Sequence, residues 1–145
     1  MTVVVDASAV VAALVDGGPA GTWAQRVLVH EHLAAPHLML VEAASILRRA
    51  VLAGDLTADV ATLAHGDLVE LPVDLFPYEP HAARVWELRG AVTPYDAWYV
   101  ALAEALDVPV VTLDARLARA PGPTCAFRVA PRTDGGAPPP TGARS

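Results

Sequence analysis

Short β-branched runs alternate along this chain with longer stretches in which apolar residues recur at helical spacing. "TVVV" at Thr2–Val5 closes on Asp6, and "AVVAALVDGG" after it carries the helical pattern up to a glycine stop. That pair predicts a strand feeding a helix. A second helix is expected from about Ala20 to His32, and "HLAAPH" reads as a short strand or connection before a long apolar helix from about Leu38 to Ala53, stopped at Gly54. Thr57, with Asp59 in the first turn, opens another helix, and "PVDLFP" suits a strand between prolines. "EPHAARVWELRG" is helical between Glu79–Pro80 and Gly90. "TPYDAWYVALAEAL", from Thr93 to Leu106, is an amphipathic helix with Thr93 as its cap and Pro94 in its first turn. "VPVVTLD" is a continuous apolar run of the type covered on both faces; "ARLARA" makes a short helix and "CAFRVAP" a last strand.

Strands alternating with helices predict an α/β fold with a mainly parallel sheet. From Thr133 onward "TDGGAPPPTGARS" has almost nothing to bury, so residues 1–132 are expected to form one domain and 133–145 a disordered tail. The chain shows no internal repeat.

Composition narrows what such a domain can do. At 145 residues the chain can bury a core without disulfide or metal staples. Its 54% of hydrophobic residues is on the high side, yet no run approaches the roughly 18 apolar residues of a membrane span, so the surplus is assigned to contact with other protein. The single cysteine, Cys125, forms no internal disulfide, and the N-terminus lacks signal-peptide features, which together predict a cytoplasmic protein. A formal charge of −6 excludes a non-specific coat for nucleic acid, because that binding rests on many cation–phosphate contacts. Every basic residue is an arginine, which excludes lysine Schiff bases and the Walker-type phosphate loop. Arg116, Arg119, Arg128, Arg132 and Arg144 all fall in the C-terminal part, so a locally positive region can coexist with an acidic whole.

Four carboxylates then stand out. Asp6 and Asp114 each end a predicted strand ahead of a helix, and Asp96 occupies the acid position of a capping box opened by Thr93. Taken singly, each can be purely a cap. In a parallel sheet, however, ligands gather beyond the carboxyl ends of the strands, where Asp6 and Asp114 both lie. Glu42 has Leu38, Met39, Ser45 and Ile46 as its helical neighbours, a mostly apolar stripe where no cap is needed. A lone carboxylate there is costly unless it is paired, protonated or bound to a metal; Arg48 or Arg49 could pair with it, but a shared divalent cation uses all four acids. Mg²⁺ prefers oxygen ligands and retains waters, so some acids bind directly and others hold water. Such a site polarises a phosphodiester and activates an attacking water.

"VVVDASA", Glu42 followed by "ILRR", "TPYDAWYVALAEA" and "VVTLDARL", in that order and spacing, resemble the PIN-domain ribonucleases, most closely the VapC toxins of bacterial toxin–antitoxin pairs. The match spans about Thr2 to Val129. The resemblance implies a parallel-sheet α/β sandwich and Mg²⁺- or Mn²⁺-dependent endoribonuclease action on structured RNA such as tRNA or rRNA. It places Asp6, Glu42, Asp96 and Asp114 on the family's acidic quartet, with Asp6 and Asp96 as direct metal ligands and Glu42 and Asp114 binding directly or through water. Ser8 and Thr112 fall on positions that commonly carry a hydroxyl near the metal. Many relatives carry Asn three residues after the Glu; here that residue is Ser45. A homodimer and a VapB-type antitoxin, whose C-terminal segment enters the active groove, are also implied.

Among other candidates, Arg116 and Arg119 follow Asp114 and are expected to contact phosphate, with Arg48 and Arg49 weaker choices. Tyr99 shares a helical face with Asp96 and, with Tyr95 and Trp98, is a candidate for stacking on bases. "HEH" at His30–His32 lacks the spacing of a zinc site. A phosphotransfer receiver needs a lysine, and a haloacid-dehalogenase-like phosphatase needs a second Asp where this chain has Ser8. The remaining alternative is a catalytically silent PIN-like module that binds RNA or protein and uses its acids only as caps.

Overall fold

The computed structural model describes residues 1–132. The proposed tail from Thr133 lies outside them. Five strands, β1 (Thr2–Val5), β2 (His32–Pro36), β3 (Val73–Phe76), β4 (Val110–Thr112) and β5 (Phe127–Val129), form one sheet in the order β3-β2-β1-β4-β5. Every pairing is parallel. The helices are α1 (Ala7–Val15), α2 (Pro19–His30), α3 (Met39–Leu52), α4 (Ala58–Glu70), α5 (Ala82–Glu87), α6 (Pro94–Leu106) and α7 (Ala115–Arg119).

Right-handed crossovers dictate where the helices go. The chain steps outward from β1 to β2 and β3 through α1–α4, then returns past β1 to β4 and β5 through α5–α7, so the two groups cover opposite faces. Packing agrees: α1 meets α2, α3 and α4, whereas α5, α6 and α7 share a separate cluster of Val85, Leu88, Val100, Ala101 and Leu117. Covered twice, the central strands are mostly apolar, and Val3, Val4, Val5, Val110 and Val111 are fully buried.

Local rules account for the element ends. Thr57 Oγ1 accepts the Val60 N–H to start α4, and Thr93 Oγ1 accepts the Asp96 N–H to start α6. Gly54 follows α3 with φ of +81°, the left-handed conformation that glycine adopts without penalty. A Cβ on Gly21 would lie 1.7 Å from the Asp16 carbonyl oxygen, so only glycine lets α2 dock against the end of α1. The one helix expected over "EPHAARVWELRG" is instead α5 flanked by 3₁₀ turns at Glu79–His81 and Leu88–Gly90.

The order reverses at β1, between β2 and β4. The register sets Val4 beside Val110 and Val5 beside Val111, which brings Asp6 level with Thr112 at the carboxyl edge. A crevice at such a reversal is where an open parallel sheet binds its ligands.

Candidate active site

Asp6 is the hub of that edge. It caps α1 by accepting the Ala9 N–H at 3.0 Å on Oδ1, which also accepts Ser8 Oγ–H at 2.6 Å. Its Oδ2 accepts the Thr112 hydroxyl. The two hydroxyls in turn accept backbone N–H groups from the segment just after β4, Ser8 from Leu113 at 3.1 Å and Thr112 from Asp114 at 2.9 Å. One carboxylate and two hydroxyls therefore stitch the ends of β1 and β4 together. Asp6 is only 9% exposed, and burial pushes its carboxyl above the ordinary range against the pull of its donors; the charge of Asp96 pushes the same way.

Asp114 caps α7, taking the Arg116 and Leu117 N–H groups at 2.9 and 3.4 Å, both on Oδ1. Asp96 stands in the first turn of α6; burial raises its carboxyl, Asp114 raises it further, and Thr93 opposes. Glu42, in the first turn of α3, accepts the Tyr99 hydroxyl at 2.7 Å on Oε1. Its carboxyl is raised by burial and by the charges of Asp96 and Asp6, against the Tyr99 hydrogen bond.

The four acids thus feel one another as a repelling chain, Glu42 with Asp6 and Asp96, Asp6 with Asp96, and Asp96 with Asp114. Among the described residues, the only arginine within ion-pair distance of any of them is Arg116, whose Nε lies 3.8 Å from Asp114 with a side chain 89% exposed. Neither Arg48 nor Arg49 pairs with Glu42, although Arg49 lines a cavity of about 310 Å³ with Glu42, Ser45 and Tyr95. A second hollow of about 240 Å³ is walled by Ala91, Val92, Asp96, Asp114 and Arg116. Because Tyr95 borders one hollow and Asp96 the other, the start of α6 divides them. No three acid, histidine or cysteine side chains among the described residues stand together as a ready-made metal cage.

These shifts have a consequence for stability. A carboxyl raised on folding favours the folded state when protonated, and that contribution is lost as pH rises through the folded value. Asn at position 96 is neutral at every pH. In excess EDTA, Asp96→Asn is therefore expected to raise the urea midpoint at pH 8, with the gain fading as pH falls through the raised range. A pH-independent difference would contradict the electrostatic account.

Tyr99 corrects the sequence reading. It is 2% exposed in the core and committed to Glu42, so it has no free face on which a base could stack. Tyr95 is exposed beside Glu42, and Trp98 packs edge-on against Tyr78 with ring centroids 5.2 Å apart. Arg119 is exposed on α7. The "HEH" residues disperse: Glu31 binds the N-terminus and Arg128, and His32 binds Asp74. The Tyr99–Glu42 pair was not legible, because its members are 57 residues apart; the one signal was that Tyr99 sits one turn after Asp96 in an apolar helix.

The chain and its fold are similar to known proteins. The PIN domain family model matches residues 3–123. Ribonuclease VapC1 of Mycobacterium tuberculosis is 43% identical over 127 residues, covering 87% of this chain and 96% of its own length. The fold is similar to VapBC2 from Rickettsia felis, solved bound to a promoter DNA fragment, with a TM-score of 0.64 at 12% identity over 90% of this chain and 100% of that one. It is also similar to Mycobacterium tuberculosis VapC20, described as a Sarcin-Ricin loop cleaving toxin, with a TM-score of 0.63 at 16% identity over 81% of this chain and 93% of that one. With the family model spanning nearly the whole sheet and a relative at 43% identity, the chain belongs to the PIN-domain family and, within it, to the VapC ribonucleases.

Proposed function

We propose that this protein is the toxin of a toxin–antitoxin pair, an endoribonuclease that hydrolyses RNA phosphodiester bonds at Asp6, Glu42, Asp96 and Asp114. The observation that carries the proposal is the chain of mutually repelling, partly buried carboxylates at the carboxyl edge of β1 and β4, an arrangement that is costly unless a cation compensates it. The donor set is anionic and all oxygen, which fits Mg²⁺ or Mn²⁺, ions that keep several waters and need only one or two carboxylates directly. Asp6 and Asp96 would hold the ion directly, with Glu42 and Asp114 acting directly or through water. When bound, the ion polarises the phosphodiester and lowers the pKa of an attacking water.

The chain's own residues then divide the remaining work. Ser8 and Thr112 are committed as donors to Asp6, which fixes that carboxylate and leaves water as the nucleophile. Arg116 and Arg119, exposed just beyond Asp114, offset phosphate charge along the RNA. Structured RNA, tRNA or rRNA, is the proposed substrate, in keeping with the loop-cleaving description of VapC20. The partner is a VapB-type antitoxin, and the chain acts as a cytoplasmic homodimer; exposed Val41, Leu52, Leu63, Val69 and Trp86 offer apolar surface for such contacts. Among the described residues no helix is long and apolar enough to cross a membrane.

That Asp6 and Asp114 do cap helices is what favours the silent-module reading. Capping, however, does not explain Glu42, which stands in the first turn of α3 without accepting a backbone N–H there and takes its hydrogen bond from another element. The two readings part in a cleavage assay on total RNA: discrete fragments with Mg²⁺ or Mn²⁺ that vanish in excess EDTA support the nuclease, and no cleavage by folded, metal-supplied protein supports the silent module.

A further inference from the structure

Tyr99 occupies an unusual junction. It lies on α6 one turn beyond Asp96, and its hydroxyl donates to Glu42 Oε1 at 2.7 Å on α3. A phenol carries one proton. An ionised carboxylate only accepts, so that proton is directed to Glu42 and the hydrogen bond has a fixed sense. The ring is held by the core on every side, which makes Tyr99 a rigid anchor rather than a mobile one. Among the described residues Glu42 has no other hydrogen-bond or ion-pair partner: Ser45, one turn on, is exposed and makes no bond to it, and neither Arg48 nor Arg49 pairs with it.

We infer that Tyr99 is the positioning residue for Glu42, anchoring Oε1 so that Oε2 is turned to the catalytic edge. Glu42 then serves chiefly through Oε2, as a partner to a cation or to its water. The inference rests on the reading of Glu42 as part of the acid site, and it couples that acid to α6, the helix that carries Asp96.

The test is a double-mutant cycle of Tyr99→Phe and Glu42→Ala, with Mn²⁺ affinity by calorimetry and kcat and KM for RNA cleavage as readouts. Phe fills the core site less one hydroxyl, and far- and near-UV circular dichroism verify its fold. Tyr99→Phe is expected to weaken Mn²⁺ binding and lower kcat about 10-fold, the scale for removing a group that orients a metal ligand, with KM little changed. In the Glu42→Ala background the same substitution is expected to change neither. Equal losses in both backgrounds would make Tyr99 a structural residue and overturn the inference, as would unchanged Mn²⁺ affinity and kcat in the single variant. A crystal structure of Tyr99→Phe reads the positioning without metal or RNA: a turned or disordered Glu42 carboxylate supports it, and an unmoved one overturns it. If the wild type neither binds Mn²⁺ nor cuts RNA while Glu42 turns in that crystal, the nuclease reading fails and the positioning stands.

Discussion

Asp96→Asn is expected to abolish RNA cleavage, with a loss on the order of 1000-fold, while leaving the fold intact. The asymmetry follows from how the residue is used. The helix start depends on Thr93 Oγ1 and the backbone N–H of residue 96, both of which survive the substitution. The carboxylate itself is half-buried and repelled by Asp114, so the fold gains nothing from its charge. Only a bound cation gives that charge a purpose. Single-turnover rates on total RNA, read beside circular dichroism, check the expectation; cleavage within a few-fold of wild type would remove Asp96 from the mechanism.

Asp6→Ala is the second large effect, and it should damage both stability and activity. The substitution strips the acceptor from the Ala9 N–H, the Ser8 hydroxyl and the Thr112 hydroxyl at a place where water does not reach freely. Losing the cap and leaving buried donors unmet costs about 2–4 kcal/mol, reduced by relief of a buried charge, so a net loss of roughly 1–3 kcal/mol is expected. Asp6→Asn keeps an acceptor for the cap and should lose less stability while losing cleavage equally. Urea unfolding at pH 7 for the two variants, paired with cleavage rates, separates the two roles. Equal stability in Asp6→Ala and wild type would mean that the stitch between β1 and β4 carries no weight.

Much of this fold was legible because its local and global signals agree. β1 and β4 are β-branched runs that end at an acid, and both acids do cap the helices that follow. The same letters therefore carried two meanings at once, a cap and a candidate ligand, and only the parallel sheet joins them at one edge. β2 was weaker in the sequence, since "HLAAP" offers alanine and proline in place of β-branched residues; it is a strand because β1 and β3 pair with it on either side and Leu33, Ala34 and Ala35 are buried. The 3₁₀ turns around α5 escaped notice because period and glycine stops do not distinguish a continuous helix from a broken one. Glu42 drew attention as an acid in an apolar stripe, but its partner did not, since a phenol's hydrogen bond to a distant helix leaves no mark on local periodicity. For the same reason Tyr99 looked like a stacking platform when the core in fact encloses it.

The central claim is that the four carboxylates act as one cation-binding centre. It is tested most directly by calorimetric titration of Mn²⁺ into the metal-free wild type and into Asp6→Asn, Glu42→Gln, Asp96→Asn and Asp114→Asn. The account predicts saturable binding to the wild type that each substitution weakens, most severely at Asp6 and Asp96. Five indistinguishable isotherms, or no binding to the folded wild type, would contradict it.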